Sequence, residues 1–278
     1  MVIDSHQHFW QYDPVDYDWI HSGTMHQLQR NYLPKDLLPL LNDNGVDGCV
    51  AVQARQVFDE TRFLLDLASD HDFIKGVVGW IDLRSPQLEE DLNLLVEEKR
   101  LVGFRHILQE EPVGYALDPK FIEGVKVILD KGYSYDILVY AHQLTAVRQF
   151  VENFPEKRLV IDHIAKPNIR DGGIRKWREH IKHLSTFPNI TCKLSGMVTE
   201  AHWMYWEYDD LVPYLDHILQ CFGPTRCMYG SDWPVCTLAG SYAQVKEIID
   251  EYLSSMSQTD RSAILGNTAL DFYQLDVS

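Results

Sequence analysis

His6 and His8 stand one residue apart at the end of the apolar run Val2 to Phe9. Alternate side chains of a β-strand share a face, so both imidazoles point the same way. There they could hold a divalent metal or contact a substrate carbonyl. A second apolar run ends in Val160-Ile161-Asp162-His163-Ile164-Ala165-Lys166-Pro167, and a third in Tyr229-Gly230-Ser231-Asp232-Trp233-Pro234. Taken singly, His163 could be a hydrogen-bonded structural histidine and Asp232 a helix cap. Taken together, His6, His8, His163 and Asp232 suit a hydrolytic centre, with imidazoles to fix a metal or polarise a carbonyl and a carboxylate to take a proton from water. Arg105, Lys166 and Lys193 are cations at or near strand ends, able to hold a carboxylate, hydroxyls or a carbonyl oxygen, or else to form salt bridges with nearby Asp or Glu. His106 and His142 are secondary candidates for substrate contact, as are the aromatic residues Trp10 and Trp233.

These residues need a scaffold that brings strand ends together. The chain repeats a short apolar run, a polar connection and a longer amphipathic stretch, which signals a parallel sheet. Candidate strands are Val2–Phe9, Gly48–Gln53, Gly76–Ile81, Val102–Leu108, Tyr135–Tyr140, Leu159–His163, Ile190–Leu194 and Cys227–Ser231. Ser85 and Pro86 are placed to open a helix carrying Leu88, Leu92 and Leu95, and Asp118 and Pro119 to open one that Gly132 ends. Further stripes run through Leu144, Val147 and Val151, through Leu211, Leu215, Ile218 and Leu219, and through Tyr242, Val245, Ile249 and Tyr252. At 278 residues the chain matches a (β/α)8 TIM barrel, which needs roughly 250. We expect an α/β fold in which residues 1–278 form a single barrel domain, since no linker or low-complexity tract divides the chain. Two long connections, from Gln11 to about Tyr32 and from Gly196 to about Tyr208, are rich in aromatic residues. Tyr12, Tyr17 and Trp19 lie in one, and Trp203, Tyr205 and Trp206 in the other. They could wall a polar ring-shaped ligand or simply pack the loops onto the barrel.

Composition narrows the partners. With 25 Lys and Arg against 41 Asp and Glu, the formal charge of -16 disfavours nucleic acid and membrane surfaces. The apolar start is interrupted by Asp4, His6 and His8, which argues against a signal peptide or spanning helix and for a cytoplasmic location. The cysteines Cys49, Cys192, Cys221, Cys227 and Cys236 show no paired x-x spacing and read as reduced structural thiols. There is no Gly-x-Ser-x-Gly elbow for a serine esterase, and no glycine fingerprint for a dinucleotide.

Five segments carry a resemblance: Ile3-Asp4-Ser5-His6-Gln7-His8-Phe9-Trp10, Gly103-Phe104-Arg105-His106, Asp162-His163-Ile164-Ala165-Lys166-Pro167, Cys192-Lys193-Leu194-Ser195-Gly196 and Tyr229-Gly230-Ser231-Asp232-Trp233-Pro234. In this order they resemble the amidohydrolase superfamily, amidohydrolase-related family 2, and within it the sugar-acid lactonases related to L-fuconolactonase and L-rhamnonolactonase. Ile264-Leu265-Gly266-Asn267-Thr268-Ala269 resembles the family's closing helix. The resemblance implies that Asp232 activates the attacking water and later protonates the leaving oxygen. His6, His8, His163 and Asp232 would form a single metal site if one is occupied, or the histidines would direct hydrogen bonds to the carbonyl. The middle strands offer Arg105, His106 and Asp136 but no lysine to bridge two metals, so the expectation is no metal or one divalent ion, zinc first. The expected substrate is a small sugar lactone; a homo-oligomer is compatible with the sequence. Two alternatives stand beside this reading: a metal-dependent non-oxidative decarboxylase of a small aromatic acid, and a non-catalytic carbohydrate-binding barrel.

Overall fold

The computed structural model describes residues 1–21 and 23–276. Strands β1 (Ile3–Gln7), β2 (Gly48–Val52), β3 (Ile74–Gly79), β4 (Leu101–His106), β5 (Ser134–Ile137), β6 (Leu159–Ile161), β7 (Ile190–Leu194) and β8 (Cys227–Tyr229) form one 8-stranded parallel sheet in sequence order. The Gln7–Trp233 bridge, with His8 N–H donating to the Trp233 carbonyl at 2.7 Å, brings β1 against the segment after β8. The result is the expected (β/α)8 barrel.

Alternation along the strands sorts the side chains. Phe104, Tyr135, Ile137, Cys192 and Leu194 face the outer helices within the large apolar cluster, which turns Arg105, Asp136 and Lys193 toward the barrel axis. Val50, Val52, Val78, Val160 and Met228 belong to a smaller cluster that also includes Phe272 and Leu275 near the carboxyl end. A register shift between Asp4 and Gln7 interrupts β1. Such an irregularity re-aims side chains: Asp4 accepts from Tyr242 Oη of an outer helix at 3.1 Å, whereas His6, two residues on, meets Arg105 and Asp162 across the barrel.

The helices follow their boundary chemistry where it was strong. Asp118 accepts from the main-chain N–H groups of Lys120 and Phe121 and opens the helix Pro119–Asp130, and Gly132 takes the positive φ (94°) just beyond it. Ser85 does not cap a helix. Its Oγ accepts from Gln87 N–H within a turn, and the helix begins later, at Leu88–Asn93. Leu211, Leu215 and Ile218 are buried on the helix Tyr208–Phe222, and Tyr242, Val245 and Ile249 on the helix Tyr242–Leu253. The segment Ala263–Asn267 winds as a wide π-turn before the helix Thr268–Tyr273. Among the described residues no helix is long and apolar enough to cross a membrane, and the five cysteines are free thiols.

Candidate active site

Beyond Ile161 the chain leaves the sheet in an uncommon way. His163, Ile164, Ala165 and Lys166 all have positive φ, at 53°, 49°, 61° and 43°. A left-handed turn costs L-residues roughly 1–2 kcal/mol each, and a β-branched residue such as Ile164 is a true outlier there. The surroundings hold it: Lys166 N–H donates to the His163 carbonyl at 2.8 Å, and Trp177 Nε1–H to the Ile164 carbonyl at 2.7 Å. Its product is geometric, since His163 and Lys166 both reach the wall of one cavity. Backbone strain of this kind gathers where function needs a fixed direction.

Gly196 closes on that turn. Its φ is 65°, and a Cβ placed there would lie 2.5 Å from His163 Nδ1. Gly196→Ala is therefore expected to lose about 1–2 kcal/mol of stability and, by tilting the imidazole, roughly 10–100-fold in kcat. Thermal unfolding and steady-state rates on one preparation check both effects.

His6, His8 and His163 stand together, with the His6 ring centroid 5.0 Å from His8 and 4.2 Å from His163. Asp232 Oδ1 lies 3.4 Å from His8 Nε2 and 3.8 Å from His163 Nε2. Burial pushes His6 and His163 well below the ordinary imidazole pKa, and His8 below it as well. Burial also opposes ionisation of Asp232, but His163, His8 and Lys166 outweigh it and hold the carboxyl below its usual range. Burial thus favours neutral imidazoles, while a proton on His8 or His163 is drawn toward the Asp232 carboxylate.

Tautomers follow from the partners. His8 Nδ1 lies 2.7 Å from the Val52 carbonyl and must donate to it, so the Nε2 lone pair faces the Asp232 carboxylate. Two acceptors that close repel unless a proton or metal ion lies between them. His163 Nδ1 lies 2.9 Å from Ser195 Oγ, whose hydroxyl can give or take a proton and so accommodates either tautomer. His6, His8 and Asp232 place ligand atoms within 4.8 Å of one another, as do His6, Asp162 and His163. His6 is common to both groups, and Asp162 is already engaged by Arg105 and Lys193. The donor set therefore fits one ion and not two. Arg105 Nη1, 3.1 Å from His6 Nε2, competes for the lone pair such an ion would use.

Beneath this centre lies a closed ion network. Lys193 is 0% exposed, with Nζ 2.5 Å from Asp136 Oδ2, 3.0 Å from Asp162 Oδ1 and 3.3 Å from His6 Nδ1. Arg105 donates to Asp162 Oδ2 at 3.0 Å and to the Gln53 carbonyl, and Tyr273 Oη donates to Asp136 at 2.7 Å. Burial pushes Asp136 up to about 6 against the pull of Lys193. Asp162, flanked by two cations and His6, is held well below the usual range despite its burial.

The cavity above opens to solvent and is lined by His8, Arg105, His163, Lys166 and Asp232 among the expected residues. Lys166 Nζ also pairs with Glu200 at 3.6 Å. The other expected contacts lie elsewhere. His106 points outward from β4, stacks on Tyr115 and faces Glu111 at 3.1 Å; adjacent strand residues face opposite sides, so Arg105 and His106 could not both enter the barrel. His142 stacks on Tyr140. Trp10 is buried among Tyr17, Trp19 and Tyr32, and Trp233 packs on Phe9 and Tyr32. Lys193 reaches the site only through His6 and the acids. Trp19, one of the aromatic residues of the long connection after β1, lines the cavity; Gln109 and Glu110 line it too without having been singled out, although they follow β4 at the carboxyl end, where barrels build their sites.

The amidohydrolase family profile matches residues 3–275. The chain belongs to the amidohydrolase family. It is 43% identical over 98% of its length to an L-fucono-1,5-lactonase from Burkholderia multivorans, covering 96% of that protein. A second L-fucono-1,5-lactonase, from Burkholderia ambifaria, is 35% identical over 99% of this chain and 96% of its own. A crystal structure of a Burkholderia multivorans amidohydrolase with bound zinc superposes with a TM-score of 0.96 at 42% identity, covering 99% of this chain and all of that one. The 8-stranded parallel barrel is the fold this chain shares with that structure.

Proposed function

We propose that this amidohydrolase opens a small sugar-acid lactone of the L-fucono-lactone type. The observation that carries the reading is the cluster of His6, His8, His163 and Asp232, of which His8, His163 and Asp232 line one cavity, in a chain 43% identical to an L-fucono-1,5-lactonase.

Asp232, ionised at neutral pH, takes a proton from a water molecule as its oxygen attacks the lactone carbonyl. His163, Arg105 and Lys166 line the same space and hold the developing oxyanion. With Ser195 Oγ–H donating to Nδ1, His163 presents Nε2–H to that oxygen. The tetrahedral centre collapses, the ring C–O bond breaks, and the proton on Asp232 passes to the ring oxygen. The product is an open hydroxy acid, which ionises and releases one proton to solvent. Zinc is the metal we assign to His6, His8 and Asp232, with His163 alongside; when bound it supplies Lewis-acid polarisation of the carbonyl. The partner is a small molecule, with neither nucleic acid nor membrane required, and free thiols in an acidic chain suit the cytoplasm.

A pH-indicator screen of L- and D-aldonolactones, with and without chelator, tests the reaction. Proton release well above the spontaneous rate is expected for a subset of configurations. Carbon dioxide release from aromatic acids, or lactone binding without opening, would overturn the assignment. For the metal, zinc at about 100 times its Kd is expected to stabilise the fold by about 2.7 kcal/mol, seen as a raised Tm that His8→Ala abolishes. A Tm indifferent to zinc would remove the metal from the proposal.

A further inference from the structure

The barrel is closed differently at its last seam. The neighbouring strands from β1 and β2 through β7 and β8 are joined by parallel ladders. Between β8 and β1 the described residues show one bridge, Gln7–Trp233, in which Asp232 N–H donates to the His6 carbonyl at 2.8 Å and His8 N–H to the Trp233 carbonyl at 2.7 Å. The site straddles this seam, since His6 and His8 stand on one side of it and Asp232 on the other. Whatever fixes the width of the seam therefore fixes the distance from the imidazoles to the carboxylate.

Next to that bridge a side chain takes the place of a ladder. Asp4 is 0% exposed, and its Oδ1 accepts from two main-chain donors: His6 N–H at 3.2 Å on its own strand and Ser231 N–H at 2.8 Å across the seam. Its Oδ2 accepts from Tyr242 Oη at 3.1 Å, which ties the carboxylate to an outer helix. One oxygen thus fastens both His6 and the residue before Asp232. Ser231 is held a second time, because its Oγ accepts from Trp233 N–H at 3.0 Å. Asp232 then leaves the strand at a φ of 59°, so a shift of Ser231 swings the Asp232 carboxylate. All three donors to Asp4 are neutral, and a buried carboxylate is costly to keep without such partners.

We infer that Asp4 is a positioning residue, which sets Asp232 against His6 and His8 by gripping both sides of the seam with a single oxygen. Asp4 does not line the cavity; it acts through the groups it places. Partners of this kind, behind the reacting groups, typically govern metal affinity and turnover by 10–100-fold. The inference needs only the shared site, and its turnover readout alone rests on the lactonase reading.

The test uses the full-length protein. Asp4→Ala removes the shared acceptor, whereas Asp4→Asn keeps an Oδ1 for both N–H groups, with Tyr242 Oη turning to accept from the new amide. Asp4→Ala is expected to lower kcat for L-fucono-1,5-lactone, and affinity for zinc titrated calorimetrically, by about 10–100-fold each, with KM little changed. Asp4→Asn is expected to recover most of both. Ser134→Ala deletes a buried hydroxyl bond to the Val102 carbonyl between β5 and β4 and controls for barrel stability: its Tm should fall while kcat and zinc affinity stay. If Asp4→Ala does not fold, Tyr242→Phe replaces it, freeing Oδ2 while keeping the aromatic ring, and a several-fold loss of kcat at constant KM is expected. Crystal structures of the variants need neither zinc nor lactone, so failure of the lactonase reading leaves them decisive. Asp232 is expected to move about 1 Å from its place beside His8 in Asp4→Ala, a displacement large enough for the predicted loss, and to stay in place in Asp4→Asn. A lower Tm in Asp4→Ala with Asp232 unmoved and zinc affinity intact would overturn the inference, as would equal impairment of Asp4→Asn and Asp4→Ala.

Discussion

Asp232→Asn is expected to leave the fold and the Tm nearly unchanged and to lower kcat by about 10²–10⁴-fold, the range for removing a general base. The backbone at Asp232 has a φ of 59°, a conformation asparagine tolerates better than most residues. Its N–H still donates to the His6 carbonyl and its carbonyl still accepts from Cys236, so the segment keeps its place. What is lost is a group able to take a proton. The wild-type pH profile supplies a companion observation. Because the neighbouring imidazoles and Lys166 hold Asp232 below its ordinary pKa of 3.8, the reactive carboxylate is present throughout the neutral range. Activity should fall only as the pH drops through the acid side of that value. Turnover of Asp232→Asn within a few-fold of wild type would assign the base elsewhere.

The second large effect concerns stability. Lys193→Met is expected to cost about 3–5 kcal/mol, since it leaves Asp136 and Asp162 buried with one shared cation gone; the Tm should fall by roughly 10 °C. Asp136 bears most of this. Its folded pKa is already raised to about 6, so the folded chain binds its proton more tightly than the unfolded chain does. Stability from that group is greatest in acid and declines as pH rises from the unfolded value through the folded one. Without Lys193 the folded value climbs further, and the penalty in Lys193→Met should widen between acid and neutral pH. Adding Asp136→Asn removes the stranded charge and keeps an oxygen for Tyr273, so the double variant should recover part of the loss. A residue that merely gripped substrate would raise KM and leave the Tm alone.

The contrast between Lys193 and Lys166 indicates what the sequence can carry. Strand order, the eight-fold repeat and the rim position of His6, His8, His163 and Asp232 were legible because apolar runs end in charged residues, and a barrel displays those ends on one side. The carboxyl ends of all strands but β7 were read too long, most of all at β5, which stops at Ile137, while β6 and β8 stop at Ile161 and Tyr229. At β6 the reason is the left-handed turn, which no local propensity announces because it is held by Trp177 from a distant helix. Lys193 looked like a ligand-binding cation because its partners Asp136 and Asp162 come from other strands and meet it only through closure of the barrel. His106 was open to exclusion by alternation with Arg105. Trp10 and Trp19 were indistinguishable as sequence, and only the folded loop turns one inward to its neighbours and the other to the cavity.

The most direct measurement is the rate of L-fucono-1,5-lactone hydrolysis by the wild-type chain and by Asp232→Asn side by side, followed by proton release after subtraction of the spontaneous reaction. Saturable opening by the wild type, reduced at least a hundred-fold in a variant with the same unfolding curve, is the expected result. No acceleration by the wild type, or equal acceleration by both proteins, would contradict a site built around Asp232 and the three histidines.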